Sequence, residues 1–275
     1  MKTDAALLRR CAEAICQADG LLVTAGAGMG VDSGLPDFRS TQGFWRAYPA
    51  LGRARIAFEA IASPAAFDAD PRLAWGFYGH RLALYRRTEP HQGFAILKQI
   101  GDSMPNGAFV FTSNVDGQFG KAGYSGDRVC EIHGSIHHLQ CMRGCSGEIW
   151  SAADFAPEID EEKCLLRSAL PACPRCKDLA RPNILMFGDW GWIESRQQAQ
   201  YAALQAWLEQ VTRPVIVEIG AGTTIPSVRH FGEATRGALI RINPTEPEVP
   251  KGKGFGLRMG GLEGIRRLRD ALAAM

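Results

Sequence analysis

The sequence predicts an α/β fold: a doubly wound parallel sheet carrying a smaller inserted module. Three observations support it. Apolar runs at Leu21 to Thr24, Ala108 to Thr112, Pro214 to Ile219 and Ala238 to Ile242 have the length of buried strands, and each gives way to a loop at Gly26, Ser113, Gly220 or Asn243. Helical spacing lies between them, as at Ala199, Leu204, Trp207 and Leu208 and at Leu262, Ile265, Leu268 and Leu272, so strand and helix alternate. Two segments break the alternation: residues 43–87 read as helices rich in Phe, Trp and Tyr, and 136–182 hold paired cysteines with little periodicity. The expected organisation is a Rossmann-like domain from 1–42, 88–135 and 183–275, with a helical insertion at 43–87 and a cysteine-bearing insertion at 136–182 forming a small domain.

In chain order, Leu7, Leu8, Ala12 and Ile15 mark an opening amphipathic helix. The first strand then runs into Ala25-Gly26-Ala27-Gly28-Met29-Gly30. Glycine lacks a Cβ, so phosphate oxygens can approach main-chain N–H groups in such a turn, although Gly26, Gly28 and Gly30 are spaced more closely than the dinucleotide fingerprint. The second strand ends in Thr112-Ser113-Asn114-Val115-Asp116, where Asn114 and Asp116 share one side or simply build a turn. A second glycine cluster, Gly220-Ala221-Gly222-Thr223-Thr224, follows the third strand as a phosphate contact or a plain strand-to-helix turn. Ligands of doubly wound sheets sit at these strand ends.

Composition narrows the function. The 275 residues are 46% hydrophobic, enough for a sizeable core, and 31 basic against 29 acidic residues leave a net charge of only +2. No field strong enough to recruit nucleic acid or a membrane surface follows. No apolar run approaches a membrane span and the N-terminus lacks a secretion pattern, so the chain reads as cytoplasmic and its eight cysteines as thiols or metal ligands. Four of them pair as knuckles, Cys141-Met-Arg-Gly-Cys145 and Cys173-Pro-Arg-Cys176. Four thiolates from two tight turns suit tetrahedral zinc, and a closed thiolate shell makes that zinc structural. His137 and His138 lie near the first knuckle as possible substitutes, whereas Cys11, Cys16, Cys130 and Cys164 read as inert thiols.

Several stretches, taken in order, resemble the sirtuins, NAD-dependent protein lysine deacylases, over nearly the whole chain. Gly26-Ala27-Gly28 through Ser33-Gly34-Leu35-Pro36-Asp37-Phe38-Arg39 is similar to their cofactor loop, and Thr112-Ser113-Asn114-Val115-Asp116-Gly117 to their nicotinamide pocket. Glu131-Ile132-His133-Gly134-Ser135 resembles the motif of their catalytic histidine. Arg181 to Asp189 resembles their substrate-binding segment, with Met186, Phe187 and Gly188 within it, and Ile242-Asn243 their adenosine-ribose contact.

The resemblance implies NAD and zinc as cofactors, acylated lysine on proteins as substrate, and nicotinamide and O-acyl-ADP-ribose as products. It gives His133 the task of taking a proton from a ribose hydroxyl, which a neutral imidazole can do near neutral pH. Asn114 and Asp116 would hold the carboxamide, with Val115, Leu35 and Ala27 as the apolar wall, Phe38 over the ribose and Arg39 ordering the loop. Asp37 fits either the cofactor or a helix cap. Gly220, Gly222 and Asn243 complete the nucleotide side.

Departures accompany the likeness. Ser113 stands where the family usually has glutamine, Phe119 where it has histidine, and Gly30 and Gly222 where it has serine. They leave open protein ADP-ribosyl transfer, or an NAD-sensing module with little turnover. In the segment Trp75 to Arg81, Tyr78 and Arg81 lie at i and i+3 on one helical face, where a phenol and a guanidinium can receive a carboxylate. The pair matches the sirtuins that accept succinyl or malonyl lysine, and equally fits a buried aromatic beside a surface arginine. Arg86 and Arg87 offer contacts to an acidic peptide, and no role is assigned to His80, His91 or His230.

Overall fold

A computed structural model describes residues 2–36 and 41–275. The chain begins with helix α1 (Lys2–Cys16), strand β1 (Gly20–Ala25) and two short 3-10 turns. Five helices follow: α2 (Thr41–Ala47), α3 (Pro49–Arg53), α4 (Phe58–Ile61), α5 (Pro64–Ala69) and α6 (Pro71–Arg87). Next come α7 (Gln92–Asp102), β2 (Ala108–Thr112), α8 (Gln118–Lys121), β3 (Val129–Glu131) and β4 (Gly134–Cys141). Short strands β5 (Ile149–Ser151), β6 (Ile159–Asp160) and β7 (Leu165–Leu166) lead to β8 (Ala180–Ile184). The chain closes with α9 (Ser195–Gln210), β9 (Pro214–Ile219), α10 (Ser227–Ala234), β10 (Ala238–Ile242), β11 (Gly254–Leu257) and α11 (Gly261–Ala273).

Among the described residues the central sheet has six parallel strands in the order β11-β10-β9-β1-β2-β3. The four strands expected from sequence are its middle; β3 and β11, too short for a clear apolar run, flank them. Side-chain alternation explains why the middle strands are apolar throughout. Leu21, Val23 and Ala25 pack into the core on one face with Val110, Val217 and Ile265, while Leu22 packs on the other with Phe109, Ile216 and Trp207. The strand order reverses between β1 and β9, so the switch-point crevice opens there.

A third apolar cluster forms from the two segments that broke the alternation, with Phe44, Phe67, Trp75 and Phe77 meeting Leu139, Leu166 and Ile184. Asp70 caps α6, accepting from the Arg72 and Leu73 amides at 3.0 Å, and Pro71 supplies the first helical position. The buried indole N–H of Trp75 then donates to the Ala180 carbonyl at 2.9 Å, joining α6 to an antiparallel sheet ordered β5-β4-β8. Strands β4 and β8 pair antiparallel, from Gly134 opposite Ile184 to Cys141 opposite Ala180.

Candidate active site

At the C-terminal ends of β1, β2 and β9 lies a cavity of about 700 Å³. Its floor is two glycine turns that lock together. The Gly26 amide donates to the Ile219 carbonyl at 3.0 Å and the Gly28 amide to the Gly220 carbonyl at 3.1 Å. Gly220 has φ +61°, and a Cβ there would meet the Gly28 Cα at 2.4 Å; one on Gly26 would meet the Ala221 Cα at 2.7 Å. The glycines are thus required first by each other. This corrects the reading that the turn leaves its amides to a ligand: those of Gly26 and Gly28 are used inside the protein, and Gly28 is buried outside the cavity wall.

Gly26, Ala27, Gly220 and Gly222 line the cavity, as do Ser113, Asn114, Val115, Asp116 and His133. Asn243 does not. It is buried behind the second glycine turn, where its Nδ2 donates to the Ala221 carbonyl at 2.9 Å and its Oδ1 accepts from the Thr245 and Glu246 amides at 3.0 Å, so its work is to hold that loop in shape. Gly188 also lies outside the wall, next to Met186 and Phe187, which form part of it. Asp37, Phe38 and Arg39 lie outside the described residues.

Asn114 ties the strand ends together, its Nδ2 donating to the Gly26 carbonyl and its amide to Thr112 Oγ1, both at 3.0 Å. Asp116 is buried, and burial pushes its carboxyl up to about 6; the Gln118 N–H that it accepts at 2.9 Å and the charge of Arg81 work against the rise, and Glu131 adds to it. His133 sits in the turn between β3 and β4. Burial pulls its imidazole below the ordinary value, opposed by a hydrogen bond to the Ser113 backbone, so the ring is neutral at pH 7. Two constraints hold that turn. Gly134 has φ +78°, and a Cβ on it would meet the Asn183 carbonyl oxygen at 2.1 Å; Glu131, two residues before His133, pairs with Arg196 of α9 at 2.5 Å.

Tyr78 lines the cavity, and so does Arg81. Its Nε and Nη2 donate to Tyr85 Oη, at 2.9 and 2.5 Å. Tyr85 lies one turn beyond Arg81 on the same helical face, a signal present in the sequence at i+4 and passed over. Tyr78 stacks on Phe67 with ring centroids 5.6 Å apart, and burial raises its phenol. Glu246 was also missed: it lines the cavity beside the second glycine turn and accepts from Thr223 Oγ1 at 2.6 Å. Phe119, by contrast, is a core residue, edge-on to Phe94 and Tyr124 at 4.9 and 5.3 Å. Its side chain belongs to the core on one face of the sheet and does not line the cavity.

The thiol sulfurs of Cys141, Cys145, Cys173 and Cys176 lie within 4.8 Å of one another, with 3.6 Å between Cys141 and Cys176 and between Cys145 and Cys173. A tetrahedron of roughly 2.3 Å zinc–sulfur bonds has edges near these spacings, so the donor set fits zinc with no position for a further ligand. His137 stands apart from this group and turns its Nε2 to the Asp116 carbonyl at 2.9 Å. His138, on the same strand, is likewise outside it.

A parallel sheet with its crevice at the switch point, faced by an inserted layer that carries four converging thiols, places the chain among doubly wound α/β proteins with a metal-stapled insertion. Within that class the family is defined: the Sir2 family profile matches residues 26–236, and the chain belongs to the Sir2 family. An "NAD-dependent protein deacylase" of Deinococcus radiodurans is 30% identical over 269 residues, 96% of this chain and 98% of that protein. One of Aeropyrum pernix is 34% identical over 250 residues, 90% of each. Among solved structures, a Sir2 homolog–NAD complex superposes with a TM-score of 0.71 at 25% identity, covering 96% of this chain and 94% of that one. Sir2Tm bound to a propionylated peptide shares the fold, with a TM-score of 0.68 at 18% identity over 98% and 99%. Among the described residues no helix is long and apolar enough to cross a membrane.

Proposed function

We propose that the chain is an NAD-dependent protein lysine deacylase, with His133 as the general base that carries the reading. When bound, NAD supplies the ADP-ribosyl group that accepts the acyl chain, with nicotinamide as its leaving group. The neutral imidazole of His133 takes a hydroxyl proton, and its burial excludes competing water. Asn114 and Asp116 orient the carboxamide, the Asp116 carboxylate accepting its N–H above a pH of about 6. Val115 and Leu35 give the apolar side, and Met186 and Phe187 sheath the methylenes of the substrate lysine. Asp37, Phe38, Arg39, Gly220, Gly222 and Asn243 belong to the cofactor side of this proposal, Gly28 and Asn243 through the shape of the floor. Gly188 belongs to the substrate segment.

Tyr78, Arg81 and Tyr85 support acceptance of acidic acyl groups such as succinyl and malonyl, since a fixed guanidinium among phenols suits a carboxylate. Zinc at the four cysteines is structural. The division into a Rossmann-like domain and a small domain of 43–87 and 136–182, and a cytoplasmic location, are part of the same proposal. Ser113, too short to reach where a glutamine would, favours a second reading, ADP-ribosyl transfer to protein; an NAD-sensing module is a third.

Incubation with NAD and acetyl-, malonyl-, succinyl- and long-chain acyl peptides, read by mass spectrometry, tests all three. Loss of the acyl group, slowed about 10²- to 10⁴-fold in His133→Ala, is expected. No acyl loss, or a His133→Ala variant equal to wild type, overturns the proposal. Added ADP-ribose mass on protein without an acyl group establishes the second reading, and NAD binding without nicotinamide release the third.

A further inference from the structure

The pairing of β4 with β8 is interrupted at one place. Ser135 stands opposite Asn183 and Leu139 opposite Pro182, so residues 136–138 have no partner on β8. The break falls beside Pro182, which carries no N–H to give to a ladder. A bulge of this kind re-aims the side chains it contains.

Here it turns β4 toward the loop after β2. The Ile136 amide donates to the Val115 carbonyl at 3.0 Å, and His137 Nε2 lies 2.9 Å from the Asp116 carbonyl oxygen. A carbonyl oxygen can only accept, so Nε2 carries the proton and the ring donates. The same edge of the ring occupies the space of a side chain at Gly117, where a Cβ would meet His137 Cδ2 at 2.7 Å and Nε2 at 2.8 Å. Val115 and Asp116 line the cavity, whereas His137 does not.

Both contacts bear on one peptide unit. The Asp116–Gly117 peptide leads into a glycine with φ +71°, a residue that tolerates many orientations of the plane before it. Turning that plane would displace the chain that follows, including the Gln118 amide that the Asp116 carboxylate accepts at 2.9 Å. An imidazole N–H on its oxygen fixes the plane.

We propose that His137 is a positioning residue for the cofactor: from behind the cavity wall its Nε2–H locks the Asp116–Gly117 peptide, and so holds the Asp116 carboxylate where it meets the carboxamide of NAD. The inference rests on the deacylase reading, in which Asp116 accepts from that carboxamide. Its effect belongs to the nicotinamide end, and neither to the rest of the nucleotide nor to the acyl substrate.

Two variants test it. His137→Phe keeps a ring against Gly117 without the N–H, and His137→Gln restores an N–H at similar reach. Calorimetry with NAD and with ADP-ribose, which lacks the carboxamide, is combined with steady-state kinetics on acyl peptides. In His137→Phe the Kd and KM for NAD should rise about tenfold, while the Kd for ADP-ribose, the KM for acyl peptide and kcat at saturating NAD stay within about twofold. His137→Gln should recover most of the loss. If His137→Phe does not fold, His137→Met is the variant without a donor. An unchanged affinity for NAD, an equal loss for ADP-ribose, or a His137→Gln as weak as His137→Phe overturns the inference. If NAD affinity depends on His137 yet wild type deacylates no peptide, the deacylase reading fails and the positioning role stands. If wild type deacylates with an NAD affinity indifferent to His137, the positioning role alone fails, and a wild type that binds no NAD overturns both.

Discussion

Between pH values of about 4 and 6 the folded chain holds the Asp116 proton more tightly than the unfolded chain does, because burial raises this carboxyl to about 6. The sign follows: stability falls as pH rises through that window, and the cost is complete above it. Asp116→Asn keeps an oxygen for the Gln118 amide and removes the charge. The variant should match wild type near pH 4 and exceed it by about 1–3 kcal/mol at pH 8 in thermal melts. At the same time its KM for NAD should rise about tenfold or more, since a carboxylate acceptor is lost. A variant no more stable at pH 8 than at pH 4, relative to wild type, would show that the carboxylate is not under this strain. The site residue is then one whose charge the fold tolerates at a cost, as expected where ligand contact and core packing compete.

The two glycine turns behave as a single element. Gly220→Ala introduces a Cβ 2.4 Å from the Gly28 backbone at a residue with φ +61°, so both strand ends must shift. The expected loss is about 2–4 kcal/mol by denaturant titration, with NAD binding lost in parallel. Gly222→Ser, where a Cβ finds only the Glu246 carboxylate at 4.0 Å, should leave stability within about 0.5 kcal/mol. A Gly220→Ala protein as stable as wild type would show that the turns are not interlocked. These contrasts explain what was legible beforehand. The middle strands, both glycine clusters and the cysteine knuckles announce themselves by local pattern, and about half of the cavity wall lies at the ends of those strands. Tyr85, one helical turn from Arg81, was legible as well, whereas Glu246 depends on which side chains a long loop brings face to face, and the internal use of the Gly26 and Gly28 amides depends on two turns nearly two hundred residues apart. Neighbouring letters carry no record of such pairings.

Across the whole molecule, the apolar cluster that packs 44–85 against 136–186 is separate from the clusters on the two faces of the sheet. The four thiols close the far end of that layer, where the segment from 142 to 179 offers only short strands. Metal should therefore contribute mainly to the inserted layer. Removing zinc with a strong chelator, or Cys173→Ser, should split thermal unfolding into two transitions, the earlier one confined to the insertion by hydrogen exchange, while the sheet amides stay protected. A single cooperative melt at the wild-type temperature would mean that the thiols add nothing to stability. The expected aperiodicity of this segment has the same cause, since chain held by thiolates has less need of regular apolar faces.

The interlocked floor has one more consequence. A surface whose main chain is already committed to itself cannot yield when a differently shaped guest arrives. Retuning this pocket will therefore be a matter of exchanging the side chains that border it, Ser113, Thr223 and Glu246 among them, while the backbone beneath serves every version unchanged.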